Sequence, residues 1–202
     1  MSRSSSSSKK RNLNGWRIAL WGAAAALLLI PAVAMRYTRE VNWTASDFVF
    51  GGVLLAALVA GFEVAMCVGR NAPHRLGIAI AALTGFLTVW INGAVGILGS
   101  EDEATNLAFI ALVCGAVIAG FVTWFRARPM VWVMAALSVS QFVVGIAAAL
   151  WTMPGHQVEW GVLAFFAVLW GGAAACFSGS AKTAHDNVRI CSKDRAGEGG
   201  EI

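Results

Sequence analysis

Charge is scarce in this 202-residue chain: only 13% of its positions are Asp, Glu, Lys or Arg, about half the share usual in a soluble domain. A soluble fold of this size would need a charged exterior that these residues cannot supply. Chemistry-bearing side chains are scarce too. The three histidines, His74, His156 and His185, fall in expected loops or in the tail, so no pair stands at membrane depth to hold a haem. The four cysteines, Cys67, Cys114, Cys176 and Cys191, make no C-x-x-C and no metal-ligand spacing. Cys67, Cys176 and Cys191 are expected near the cytoplasm and Cys114 inside an apolar run, so no disulfide is expected. No serine lies in a nucleophile motif with a histidine at membrane depth, and no glycine-rich phosphate loop is present. The expectation is a protein without cofactor, metal or catalytic residue; an enzyme would have to work with carboxylates and amides alone.

Apolar sequence is abundant: 58% of positions are hydrophobic. Most of them fall in six runs at residues 16–35, 48–69, 76–98, 107–125, 130–151 and 161–179. A hydrocarbon core about 30 Å thick takes roughly twenty helical residues to cross. Lipid offers no partner to a backbone amide, so such runs cross as helices that satisfy their own hydrogen bonds. The expected fold is all-α, a polytopic transmembrane bundle of six crossings in three hairpins, occupying residues 15–179. The expected tails are a basic, Ser-rich segment at 1–14 and a mixed-charge segment at 180–202, both disordered.

Basic residues orient the crossings. Of the fifteen, all but Arg36 and Arg39 lie on one side if all six runs cross. That side takes the N-terminal segment through Arg17, the Arg70/Arg75 and Arg126/Arg128 loops, and the C-terminal tail. The opposite side collects Glu40, Asp47, Glu101, Asp102, Glu103 and Glu159. Both termini are therefore expected in the cytoplasm. The basic start, apolar run and Ala32-Val33-Ala34 also resemble a secretory signal peptide, but the run is longer than a usual signal core and an uncleaved first helix is expected.

Local signals mark the boundaries. Thr44 with Asp47, and Ser100 with Glu103, have capping-box spacing before apolar runs. Pro73 and Pro129 fall at helix starts, where a missing amide hydrogen matters little. Trp16, Trp43, Trp124, Trp132, Trp151 and Trp160 fall near interfaces, whereas Trp21, Trp90 and Trp170 lie deeper and are expected to pack between helices.

Glu63 is the only formal charge well inside an expected span, about 9 Å from the cytoplasmic end of its helix by helical rise. It shares a helical face with Gly52, Ala56, Ala60 and Cys67, which predicts that it faces the bundle. It reads either as a proton or cation site or as a carboxyl that is protonated or reaches Arg70 or Arg75. Thr84, Thr88 and Asn92 form a second polar stripe at i, i+4 and i+8, and Gln141 with Ser138 a third. Together with Glu63 they make a ladder that either lines a narrow solute path or serves as interhelical glue. Asp47, Glu101, Asp102 and Glu103 form an external acidic cluster that could concentrate cations, although acids are expected on that side and two of them act as caps. The expected partners are the lipid bilayer and further copies of the chain through small-residue helix faces, with no nucleic acid.

The segments Glu40-Val41-Asn42-Trp43-Thr44-Ala45-Ser46-Asp47-Phe48 and Ile91-Asn92-Gly93-Ala94-Val95-Gly96-Ile97-Leu98-Gly99-Ser100-Glu101-Asp102 resemble a family of small, uncharacterised bacterial inner-membrane proteins. The likeness covers about residues 30–125 and departs at Glu103-Ala104-Thr105. It implies bacterial origin and an integral membrane fold, and brings no activity or substrate. Two functions follow as alternatives: moving or sensing a small ion or polar solute through the bundle, or a non-transporting accessory or scaffold role.

Overall fold

A computed structural model describes residues 5–100, 103–152, 154 and 158–198. Among them the chain forms α1 (Ser5–Tyr37), α2 (Ala45–Val68), α3 (Ala72–Ala94), α4 (Leu107–Val122), α5 (Ala127–Ala147) and α6 (Trp160–Glu198). A short 3-10 turn, Ala104–Asn106, leads into α4, and a π turn, Ala148–Thr152, ends α5. No strand occurs among the described residues. With the 3-10 turn counted into α4 and the π turn into α5, six of the described helices are long and apolar enough to cross a membrane, so the fold is all-α with six apolar helices, as expected.

Two compact units divide the chain between Glu63 and Val64. In the N-terminal unit, α1 and α2 are joined through residues 38–44. The Thr44 amide donates to Asp47 Oδ2 at 2.7 Å and the Asp47 amide to Thr44 Oγ1 at 3.4 Å. This is the reciprocal cap that the spacing predicts. Leu28 of α1 lies over Gly51 and Gly52, whose missing side chains leave room for its methyl groups.

In the C-terminal unit α6 is the spine, packed along both α3 and α5, while α4 closes against those two. The reason is visible in its sequence. Leu163, Phe166, Ala167, Trp170, Ala173, Ala174 and Phe177 are all buried, and they recur every three or four residues, the spacing of one helical face. Large side chains alternate there with alanines that let neighbours approach. Gly145 of α5 meets this face so closely that a methyl group on it would overlap Leu163 Cδ1. The Ser138 hydroxyl of α5 donates across to the Ala167 carbonyl at 2.7 Å.

Several boundaries differ from the sequence prediction. The third run was expected to reach Leu98, but α3 stops at Ala94. Gly96 turns left-handed at φ +77°, and its amide closes the helix end on Ile91 and Asn92 carbonyls, the usual way a glycine ends a helix. Ser100 and Glu103 do not form a side-chain capping box; only their backbones bond, Glu103 amide to Ser100 carbonyl at 3.2 Å. The described parts of both expected disordered tails are helical, α1 beginning at Ser5 and α6 running on to Glu198. Extending an existing helix is far easier than nucleating one, and neither 5–14 nor 180–196 contains a glycine or proline to stop it. Residues 1–4 and 199–202 lie outside the described residues.

Gly96→Ala places a Cβ 2.6 Å from the Ser100 backbone in a left-handed conformation. It is expected to destabilise the protein by about 1–3 kcal/mol, read as a lowered unfolding midpoint in detergent. Gly145→Ala meets the end of a side chain instead of backbone. Its loss, of about the same size, is expected to shrink when combined with Leu163→Ala, as a double-mutant cycle measures.

Candidate functional site

The five residues of the expected polar ladder divide between the two units. Glu63 belongs to the N-terminal unit, where its partners come from α1. Arg17 grips its carboxylate with two bonds, Nη2 to Oε2 at 2.8 Å and Nε to Oε1 at 3.0 Å. Trp21 Nε1, one turn further along α1, donates to Oε1 at 3.1 Å. A fork of two parallel bonds is the strongest pairing a guanidinium makes with a carboxylate. Glu63 therefore does not interact with Arg70 or Arg75 as the sequence suggested; Arg75 Nε bonds the Gly69 carbonyl at 3.1 Å. Nor does the small-residue face of α2 bury as a whole, since Ala60 and Cys67 are exposed while Leu55 and Val59 are buried. Trp21, expected to pack between helices, is half exposed and serves the carboxylate with its indole N–H.

Thr84, Thr88, Asn92 and Gln141 all lie buried in the C-terminal unit. They do not act alike. Thr84 Oγ1 donates to the Ile80 carbonyl at 2.7 Å and Thr88 Oγ1 to the Thr84 carbonyl at 2.8 Å. Gln141 Nε2 likewise bonds Leu137 of its own helix, at 3.2 Å. These three turn inward on their own helices in place of bridging to others. Asn92 alone reaches another element, donating from Nδ2 to the Asn106 carbonyl at 2.8 Å. Among the described residues three buried polar atoms have no partner: Asn92 Oδ1, Gln141 Oε1 and Trp170 Nε1.

Asn106, which sequence reasoning passed over, organises the connection from α3 to α4. Its Oδ1 accepts from the amides of Ile97 and Leu98 at 3.2 and 3.0 Å. Its Nδ2 donates to the Leu98 and Ser100 carbonyls at 3.1 and 2.7 Å. One carboxamide thus stands in for a strand partner to a buried loop, which otherwise would carry unsatisfied backbone groups. The signal was available in principle: a lone Asn at the edge of an apolar run, in reach of a Gly-rich turn.

Of the expected acidic cluster the described residues include Asp47 and Glu103, one in each unit. Asp47 is engaged by Thr44, whose hydroxyl also donates to Oδ2 at 2.9 Å. Glu103 caps the 3-10 turn through its backbone, and Glu101 and Asp102 lie outside the described residues. Among the described residues no group of three His, Cys, Asp or Glu side chains is placed to hold a metal ion.

At the other end of the C-terminal unit His74 ties two turns together. Its amide is capped by Asn71 Oδ1 at 2.9 Å, and its Nδ1 accepts from the Arg70 amide at 3.3 Å. That acceptor role assigns the ring proton to Nε2, which donates to the Phe125 carbonyl at 2.7 Å. Trp124 and Phe125 are left-handed, at φ 50° and 51°, a strained conformation for residues with bulky side chains. The His74 bond and the Phe125 amide bond to Gly120 at 2.9 Å hold that turn. The ring of His74 also meets Phe177 of α6 edge-on, centroids 5.5 Å apart. Beside it a cavity of about 620 Å³ is lined by Arg70, Arg126, Arg128, Ala127, Ser180 and Ala184, among others.

Comparison with protein-family models, with curated proteins and with solved structures finds no match to this chain.

Arg17→Gln and Glu63→Gln are each expected to lower the thermal midpoint of the purified protein, followed by intrinsic tryptophan fluorescence. The exchange Arg17→Glu with Glu63→Arg is expected to recover most of the loss, which a purely steric role for either residue would not allow. Asn106→Leu removes the side-chain partner of four backbone groups, of which the Ser100 carbonyl keeps its bond from the Glu103 amide, and is expected to destabilise the C-terminal unit by about 2–4 kcal/mol, measured by denaturant unfolding in mixed micelles.

Proposed function

We propose that the chain is an integral, multi-pass protein of the bacterial inner membrane, both termini cytoplasmic, with a non-catalytic accessory or scaffold role. Bacterial origin rests on the resemblance of the segments around Trp43 and Asn92, and the orientation on the distribution of basic residues. The observation that carries the scaffold reading is where the ladder directs its hydrogen bonds. Thr84, Thr88 and Gln141 bond to their own helix backbones, and Glu63 is held by Arg17 and Trp21. Side chains closed in this way let helices pack while offering a passing solute little. Association of copies through small-residue faces fits such a role.

The unpartnered atoms of Asn92, Gln141 and Trp170 favour a second reading, in which water or a small polar solute occupies the C-terminal unit and is moved or sensed. An orphaned buried polar atom is costly, and a solute that satisfied it would be bound.

Gln141→Leu separates the two readings. On the scaffold reading the variant assembles normally, is as stable as the parent or about 1–2 kcal/mol more so, and proteoliposomes of parent and variant show the same background permeability to protons, sodium and small polyols. A parent flux above empty liposomes that the variant loses would overturn the scaffold reading in favour of transport.

A further inference from the structure

The cavity beside His74 is assembled from three parts of the C-terminal unit that the sequence keeps far apart. Arg70 comes from the turn before α3, Arg126 and Arg128 from the start of α5, and Ser180, Ala181 and Ala184 from α6 beyond the expected end of its apolar run. Three exposed arginines thus meet at one hollow, and like charges gathered this way repel one another, a cost that an anion among them would relieve. Among the described residues none of the three makes an ion pair, and none donates a side-chain hydrogen bond. Asp186 lines a smaller adjoining hollow of about 320 Å³ together with Arg128 and Lys182.

Two further features supply hydrogen-bond donors at the same hollow. Ser180 lines the cavity, is only 4% exposed, and its hydroxyl makes no hydrogen bond among the described residues. The α5 N-terminus, which supplies Ala127 and Arg128 to the wall, has no side-chain cap. α3, by contrast, is capped by Asn71. An uncapped helix start leaves amide hydrogens free and carries the positive end of the helix dipole. Ala127, Pro129, Ala181 and Ala184 complete the wall with apolar surface.

We infer that this cavity is a binding site for a phosphate-bearing anion, gripped by Arg70, Arg126, Arg128 and the Ser180 hydroxyl. Guanidinium forks match phosphate oxygens two at a time. The volume exceeds that of a bare phosphate and lies in the range of small-molecule sites, which suits a phosphodiester headgroup with its glycerol against the alanine and proline wall. Basic pockets between membrane helices take anionic headgroups by this chemistry. The same groups would hold a free phosphate, so lipid and soluble sources share the site.

The test uses the full chain in a neutral detergent, titrated separately with short-chain phosphatidylglycerol, short-chain phosphatidylcholine and inorganic phosphate, with the thermal midpoint as readout. Stabilisation by phosphatidylglycerol and not by phosphatidylcholine assigns a lipid headgroup; stabilisation by inorganic phosphate alone assigns a soluble anion. The apparent affinity is expected to fall about tenfold for each of Arg70→Gln, Arg126→Gln and Arg128→Gln, and to be unchanged in Arg36→Gln/Arg39→Gln, which alters basic residues of the N-terminal unit. Ala184→Phe keeps every charge but fills the hollow, and is expected to abolish the response. No stabilisation by either anion, the same affinity in the arginine variants as in the parent, or parental binding by Ala184→Phe would each overturn the site.

Discussion

Inside hydrocarbon a polar atom has only the protein to bond to, and the hydrogen bonds of Thr84, Thr88, Asn106 and Glu63 answer that constraint. Backbone amides meet it by forming helices. Side chains meet it in three ways. Thr84 and Thr88 return their hydroxyls to the carbonyl one turn earlier. Asn106 uses both ends of its carboxamide on the backbone of one loop. Glu63 meets a guanidinium from the preceding helix, so that two charges, each expensive in lipid, are held as a pair.

The packing of the C-terminal unit follows from one helix. α6 carries a continuous buried stripe from Leu163 to Phe177, and the neighbours that use it, α3 and α5, bring glycines to the points of closest approach. Gly77 stands against Cys176 and Phe177, and Gly145 against Leu163. With no hydrophobic drive between helices in lipid, such close approach is what holds them together. Because α6 continues past the apolar region as one rod, its polar extension stays beside the starts of α3 and α5. The wall formed by Ser180, Ala181 and Ala184 is a direct result.

The middle of the C-terminal unit and its basic end therefore differ in kind. In the middle, polar groups are buried and mostly satisfied by their own helices, the condition of a structural core. At the basic end, arginines from separate segments line a hollow and make no ion pair among the described residues. His74 links that end to the fold. Its ring joins the turn before α3 to the turn after α4 while packing on α6, so the arginines flanking it are held on a rigid base.

Much was legible from the residues alone. Run length and the lack of charge determined the class, the six helices and their approximate limits, because membrane thickness imposes a length that sequence must meet. The burial of Thr84, Thr88, Asn92 and Gln141 was legible too, since helical spacing puts each on a face with small residues. What could not be read was pairing. Arg17 counted only as one of many orienting charges, though it stands one turn from Trp21. Nothing local tells it that Glu63, 46 residues on, comes within reach. Asn106 and His74 look like ordinary polar residues at helix edges until the loops they bind are folded around them. The basic cavity needs residues from 70 to 184 at once. Hydrophobic length and periodicity are properties of a single segment and survive in one dimension; hydrogen-bond partners and cavities are relations between segments, and exist only once the helices have packed.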